Sequence, residues 1–486
     1  MQVGYLRETR RRGFAKQDVG SLPVMSQTLL ATGIYTPFSN KSLNGGDTAW
    51  LIASAALVLL MTPALAFFYG GMVRVKHVLA MLMQNFAAIA IVSVTWVLVG
   101  FSWAFGGEGK YLGDWHFALM HHINDVVPAL GSLQTTPTTV FIAFQLTFAI
   151  ITPALITGST ADRWKFGAFV AFVAVWSVVV YAPVAHWVFD GYGWLNRSAF
   201  EPGAHFFAED FAGGTVVHIN AGAAGLAMAL VLGKRRGWPK QNMRGHNIPF
   251  VMLGAGLLWF GWFGFNAGSA LTASNLAGFA WINTNTATAT ALLGWILVEK
   301  IKYGKCTALG AASGAVAGLV AITPGAGWVS PMGSLFIGFI AGAGCALAIS
   351  LKNRFGFDDS LDVVGVHFVG GWIGTLAIGF FSTRGVNPAG NDGIFYGGGG
   401  HFGGWNLLLH QFLAAGAVSV FSFVATLIIA SVINLFIKNR VSEEAELEGL
   451  DTAIHGESAY ELGPVGGSLG GGGLLAGSRP RETVDA

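Results

Sequence analysis

Two histidines stand inside apolar stretches of this 486-residue chain, where an ionisable group is costly and marks a functional position by default. His218 lies eight residues after Asp210 in DFAGGTVVHIN, and His367 lies eight residues after Asp359 in DDSLDVVGVHFVGG. An imidazole so placed can bond a small molecule, pass a proton, or ligate haem iron or another metal. It can equally be a packing residue bonded to nearby backbone. No HExxH or CxxC accompanies the pair, so no metal site and no cofactor is expected, with paired axial haem ligation as the alternative. Asp210 reads as a helix N-cap rather than a direct proton acceptor, because helix rise puts it about 12 Å from His218. Asp359 and Asp362 read as caps in the same way. Rings gather in the same region: Phe144 and Phe148 in AFQLTFAIITPALITG, and Trp262 and Phe265 with Ser269 in GWFGFNAGS. Such rings usually pack or form an interface belt. At a mouth, though, a ring face attracts a small cation and a serine hydroxyl accepts its hydrogen bond.

Composition defines the elements that must position these residues. Hydrophobic residues make up 53% and charged residues 11%, against roughly 25% charged in soluble domains. With a mean hydropathy of +0.58, the chain cannot cover itself with a solvated surface. This excludes a soluble enzyme, a disordered protein and a nucleic-acid binder. A net charge of +2 predicts no charged partner. The 69 glycines, about twice the usual frequency of roughly 7%, suit helices that approach closely in lipid. Cys306 and Cys345 lie in apolar stretches and make no disulfide framework.

Runs of about 20 apolar residues, enough to cross roughly 30 Å of hydrocarbon, occur at about 48–70, 78–104, 139–158, 166–189, 212–233, 247–267, 276–298, 307–324, 332–351, 361–382 and 408–437. Backbone in lipid must satisfy itself, so each is expected to be a helix. The expectation is an all-α membrane protein with eleven transmembrane helices. The segments after odd-numbered spans carry 16 Lys and Arg, and the loops after even-numbered spans carry only Lys110, Arg197 and Arg384. That bias places the N-terminus outside and the C-terminus inside.

The Asp-to-His interval recurs five spans apart, and an odd number of spans reverses direction. This is the mark of an inverted five-helix repeat, spans 1–5 against 6–10, whose substrate sites lie near the midplane. Starting from opposite faces, both histidines reach the middle and can meet. Around this membrane domain (47–437) the sequence predicts a disordered N-terminal extension (1–46) and an inner tail (438–486). Arg7 to Lys16 holds five basic residues without a signal-peptide core, and Met25 offers a later start. The tail is acidic and helix-forming at first, then Gly-rich and disordered.

DFAGGTVVHINAGAAGL, GWFGFNAGSA, DDSLDVVGVHFVGG, GLDTAIHGESAYEL and GDTAWLIASAALVLLMTPALAFFYGGMVR together resemble the ammonium transporter family (Amt/Mep/Rh), its Amt branch more than its Rh branch, over about residues 46–462. The resemblance implies a homotrimer in the cell (plasma) membrane, with one pore per subunit, that takes up ammonium for nitrogen supply. It implies twin pore histidines at His218 and His367, a functionally required aspartate at Asp210 and a stacked gate at Phe148 and Phe265. Trp262 falls on the inner pore wall, and Ser269 and Phe144 fall at the outer recruitment site. The family's external tryptophan falls on Phe189 by its spacing from His186, with Trp187 and Trp194 as substitutes, so weaker recruitment is expected. The resemblance further implies that the tail couples subunits, that Thr452 occupies a phosphorylation position and that a PII-type signal protein docks on the cytoplasmic face. A haem enzyme and an ammonium sensor remain the competing classes.

Overall fold

In the computed structural model the described residues are 35–196, 206–241 and 243–460. The expectations for Arg7 to Lys16, Met25, Arg197 and the Gly-rich end lie outside them. The long helices are α1 (Gly45–Met72), α2 (Val75–Phe105), α3 (Thr138–Thr160), α4 (Phe166–Phe189), α5 (Gly214–Leu232), α6 (Ile248–Gly268), α7 (Asn275–Tyr303), α8 (Ala308–Ile322), α9 (Pro331–Phe355), α10 (Val364–Phe381) and α11 (Trp405–Phe436). Among the described residues nine are long and apolar enough to cross a membrane, and none forms a β-strand.

The two helices outside that nine depart for different reasons. The helix α8 has only 15 residues. By contrast α7 is long but carries NTNTATAT at its centre. Its polar groups find partners on and off the helix: the Asn283 side-chain amide donates to the carbonyls of Ala326 and Val329, and Thr284 and Thr288 bond back to the carbonyls of Ala280 and Thr284. A polar run can therefore stay helical inside the bundle. Outward-facing positions are apolar, as on α11, where Leu409, Phe412, Val420, Val424 and Ile428 are exposed. An apolar exterior on this scale makes this a multi-pass membrane protein.

One end of the bundle is tied by buried charge. Arg74 (after α1) and Arg235 (after α5) both reach Asp162 (after α3), at 3.0 and 3.4 Å, and Arg235 also pairs with Asp358 (before α10) at 2.8 Å. Burial acts to raise the Asp162 carboxyl, but His77, Arg235 and Arg74 outweigh it and hold it below its ordinary value. The segment after α11 docks on this basic face. Its short helix α12 (Glu443–Glu448) brings Glu446 to Arg440 at 2.7 Å and to the Arg236 amide at 2.7 Å. Asp451 then accepts the amides of Leu79 and Ala80 in the first turns of α2, and Tyr460 meets His246 at 2.9 Å.

Candidate functional site

Two helix starts, approached from opposite faces, build the site. Asp210 accepts the amides of Gly213 and Gly214 at 2.7 and 2.8 Å on Oδ1, and those of Thr215 and Val216 at 2.8 and 3.3 Å on Oδ2. At the basic face Asp359 accepts the amides of Val363 and Val364 at 3.1 and 2.7 Å, together with the Ser159 hydroxyl. Both aspartates thus accept the amides four and five residues on, and Asp210 takes those three and six residues on as well. The Leu361 amide is bonded to the Gly158 carbonyl and Asp362 has a positive φ of 64°, so α10 begins at Val364 rather than 361. Burial, with Asp362 close by, raises the Asp359 carboxyl above its ordinary value.

Both helices open in wide π geometry, Gly214–Ile219 and Val364–Phe368, and each wide turn carries its histidine. Such turns are rare and recur at functional sites. Four residues past each histidine stands a glycine facing the other helix. A Cβ on Gly222 would lie 2.6 Å from Phe368, and one on Gly371 would lie 2.9 Å from Ile219. Only glycine at these two points lets α5 and α10 approach closely enough for the imidazoles to meet. They do meet: the Nδ1 atoms of His218 and His367 are 3.3 Å apart, with rings 27° from parallel. One ring must donate to the other, leaving one Nε2 as acceptor and the other as N–H donor. The Nε2 of His218 is buried with no partner among the described residues.

Trp262 stacks beside His218 at 5.3 Å, its indole locked by a 2.8 Å bond to the Thr323 hydroxyl. Phe265 follows at 6.1 Å from His218 and lies 4.2 Å from Phe148. A slot of about 10 Å³, lined by His218, His367, Trp262, Phe265 and aliphatic side chains, runs here. That is near the least volume that can hold one water, and no porphyrin fits it.

Beyond Phe148, away from the basic face, opens a cavity of about 140 Å³ lined by Phe189, Ser269, Asp210, Gln145, Asn196 and Leu130 among others. The Ser269 hydroxyl donates to the Phe265 carbonyl at 2.7 Å, which leaves its lone pairs for a donor in the cavity. Phe189 lines this space edge-on to Phe148, at 6.3 Å. Trp187 and Trp194 pack on each other, and the Trp187 indole is committed to the Tyr111 carbonyl. Neither is in the lining; of the three rings only Phe189 faces the cavity. Phe144 packs edge-on behind Phe148 at 4.9 Å and is also outside the lining.

Sequence reasoning missed Gln145, Asn196 and Thr323, whose polarity was ordinary in sequence. It also missed Asp190, fully buried beside Phe189, which accepts the Tyr192 amide on one oxygen and has no partner for the other among the described residues. Burial pushes its carboxyl up to about 8, against the lowering effect of the Tyr192 amide. Between the ordinary value and about 8 the folded protein keeps a proton that the unfolded chain has lost. Stability therefore falls as pH rises across this window, by at most about 1.4 kcal/mol per pH unit from this group. Thermal midpoints measured from pH 5 to 8 should fall less steeply in Asp190→Asn than in the parent. Identical slopes would remove Asp190 as the cause.

Buried apolar slot, satisfied polar ends and apolar exterior together define a helical membrane protein built to pass something small. A model of the Ammonium Transporter Family matches residues 49–460. The ammonium transporter of Mycobacterium tuberculosis is 51% identical over 456 residues, covering 88% of this chain and 92% of that protein. Among solved structures, Candida albicans Mep2 aligns with a TM-score of 0.74 and 32% identity, over 83% of this chain and 88% of that one. A structure described as a sensor Amt protein aligns at 0.73 and 26%, over 84% and 98%. The chain belongs to the ammonium transporter family, and its function is ammonium transport rather than enzymatic catalysis.

Proposed function

We propose that this chain recruits NH₄⁺ in the Phe189–Ser269 cavity, removes its proton near the Phe148–Phe265 pair and conducts NH₃ past His218 and His367. The observation that carries this reading is the pair of imidazoles in contact along an apolar slot, directly behind two phenylalanines packed at a tilt on each other. A bare ion in that slot would lose its hydration at large cost, whereas a neutral amine needs only a donor and an acceptor. The Nε2 pair offers one of each. Potassium matches ammonium in size but has no proton to give up. Ring faces and the Ser269 oxygen suit a small cation outside the slot.

In this reading all eleven helices cross, α1–α5 and α6–α10 form the inverted repeat, and the basic face with the tail is cytoplasmic. The matching caps and glycines around the two histidines support the repeat. The working unit is a homotrimer, and the docked segment 438–460 is the surface for subunit coupling, for Thr452 phosphorylation and for a PII-type protein. Transport is favoured over sensing because the family model and the M. tuberculosis relative both carry the transporter description.

The test is rescue of growth on low ammonium in a transport-deficient cell. Rescue supports the reading, and no rescue despite surface expression overturns it. In the same cells Phe189→Trp should lower the half-saturating substrate concentration severalfold, because an indole face holds a cation more strongly than a phenyl face. An unchanged value would remove Phe189 from recruitment.

A further inference from the structure

His116, His122 and Asp125 lie in the connection between α2 and α3, on the side of the bundle away from the basic face, and no step of transport uses them. One ligand-type atom from each falls within 4.8 Å of the other two. His116 Nε2 is 2.8 Å from Asp125 Oδ2, and the rings of His116 and His122 lie 4.4 Å apart. His121 is adjacent to His122, with ring centroids 6.2 Å apart.

Two of the three ligands are held from several sides. The His116 ring is buried, stacks on Tyr35 at 3.5 Å, and its amide is bonded to Asp114 at 2.9 Å. The backbone of Asp125 is clamped between residues 36–38 and the first turn of α3, where Thr138 donates to its carbonyl at 2.6 Å. The third ligand, His122, is exposed and lays its ring against that of His116. Leu119, Met120 and His122 all adopt positive φ, at 58°, 57° and 53°, a conformation that non-glycine residues keep only where surroundings impose it. The buried Nδ1 of His116 has no partner among the described residues. A simple hydrogen-bonded clasp would explain the His116–Asp125 contact but not the second imidazole stacked against it.

We infer that His116, His122 and Asp125 form a site for one divalent transition-metal ion of zinc's class, with water or His121 completing the shell. Two imidazoles and one carboxylate suit zinc and its neighbours rather than magnesium or calcium. No metal was expected from the sequence, which carries neither HExxH nor CxxC; the spacing here is H-x₅-H-x₂-D. The ion would join the turns that follow α2 to the stretch of chain that runs on to Ala129 and Leu130, both in the lining of the outer cavity. Its occupancy therefore fixes one wall of that cavity.

The experiment uses tag-free, full-length protein in detergent, stripped with chelator and titrated calorimetrically with Zn²⁺ alone. One Zn²⁺ per chain is expected, together with a rise in thermal midpoint on binding. Loss of an outer-shell partner already weakens a site about 10–100-fold, so His122→Ala should weaken binding at least tenfold. Its exposed side chain makes misfolding an improbable cause, and Asp125→Asn, which preserves shape, should weaken binding as well. Co²⁺ in place of Zn²⁺ should give visible ligand-field bands in the parent that vanish in His122→Ala. Absence of stoichiometric Zn²⁺ in the parent, or equal binding by His122→Ala, overturns the proposal. Because binding is measured without substrate, the outcome is independent of the transport mechanism.

Discussion

Uptake through His218→Leu is expected to fall about tenfold to a hundredfold at equal surface expression, with the fold intact. The expectation rests on what His218 holds and what it does not. Its Nδ1 makes one hydrogen bond, with His367, and its Nε2 makes none among the described residues, so the bundle loses little polar bonding when the ring is replaced. A leucine fills similar space beside Trp262 and Phe265. A translocating amine, however, loses a hydrogen-bond partner in a slot lined otherwise by apolar atoms. An unmet polar group there costs about 1–3 kcal/mol, or about 5- to 150-fold in rate or occupancy. His367→Leu should behave alike, and the double variant should lose less than the product of the two, because each single change already orphans the other imidazole. Methylammonium uptake with a surface-expression control measures all three. Uptake within twofold of the parent would remove the histidines from the conduction path.

The histidines were legible in the sequence because an ionisable residue in an apolar run is conspicuous, and because the eight-residue interval to Asp210 and Asp359 occurs twice. Glycine excess was legible only as a total. That Gly222 and Gly371 admit α5 to α10 depends on which faces meet, and nothing local encodes it. The wide turns escaped for a similar reason. A helix widens by one residue without any change in hydrophobic pattern, so 361–382 read as an ordinary span. Thr323, Gln145 and Asn196 come from separate connections and helices, and their polarity signals nothing until the fold brings them to the slot and cavity. Trp187 and Trp194 show the opposite limit. As residue types they suit cation recruitment better than Phe189, yet their rings are spent on each other and on the Tyr111 carbonyl.

Asp210→Ala should be the most damaging single change, bringing uptake to background and lowering the thermal midpoint together. Four amides converge on this one carboxylate, and those of Gly214, Thr215 and Val216 belong to buried residues. Replacing an ordinary N-cap costs about 0.5–2 kcal/mol, and each buried amide left without an acceptor adds about 1–3 kcal/mol. The start of α5 would unwind or shift, and with it the turn that aims His218 at His367. The same geometry separates capping from proton transfer. Asn keeps one of the two accepting oxygens and cannot ionise, so as a cap it should hold part of the midpoint and part of the uptake, between the parent and Ala. If Asp210→Asn instead keeps the parent's midpoint while uptake falls to background, the charge itself is needed and capping is not the main role. Asp359→Ala provides the comparison on the other helix. Its amides at Val363 and Val364 are fewer, but the Ser159 hydroxyl is lost too. A stability loss there without a matching loss at Asp210 would break the equivalence of the two helix starts.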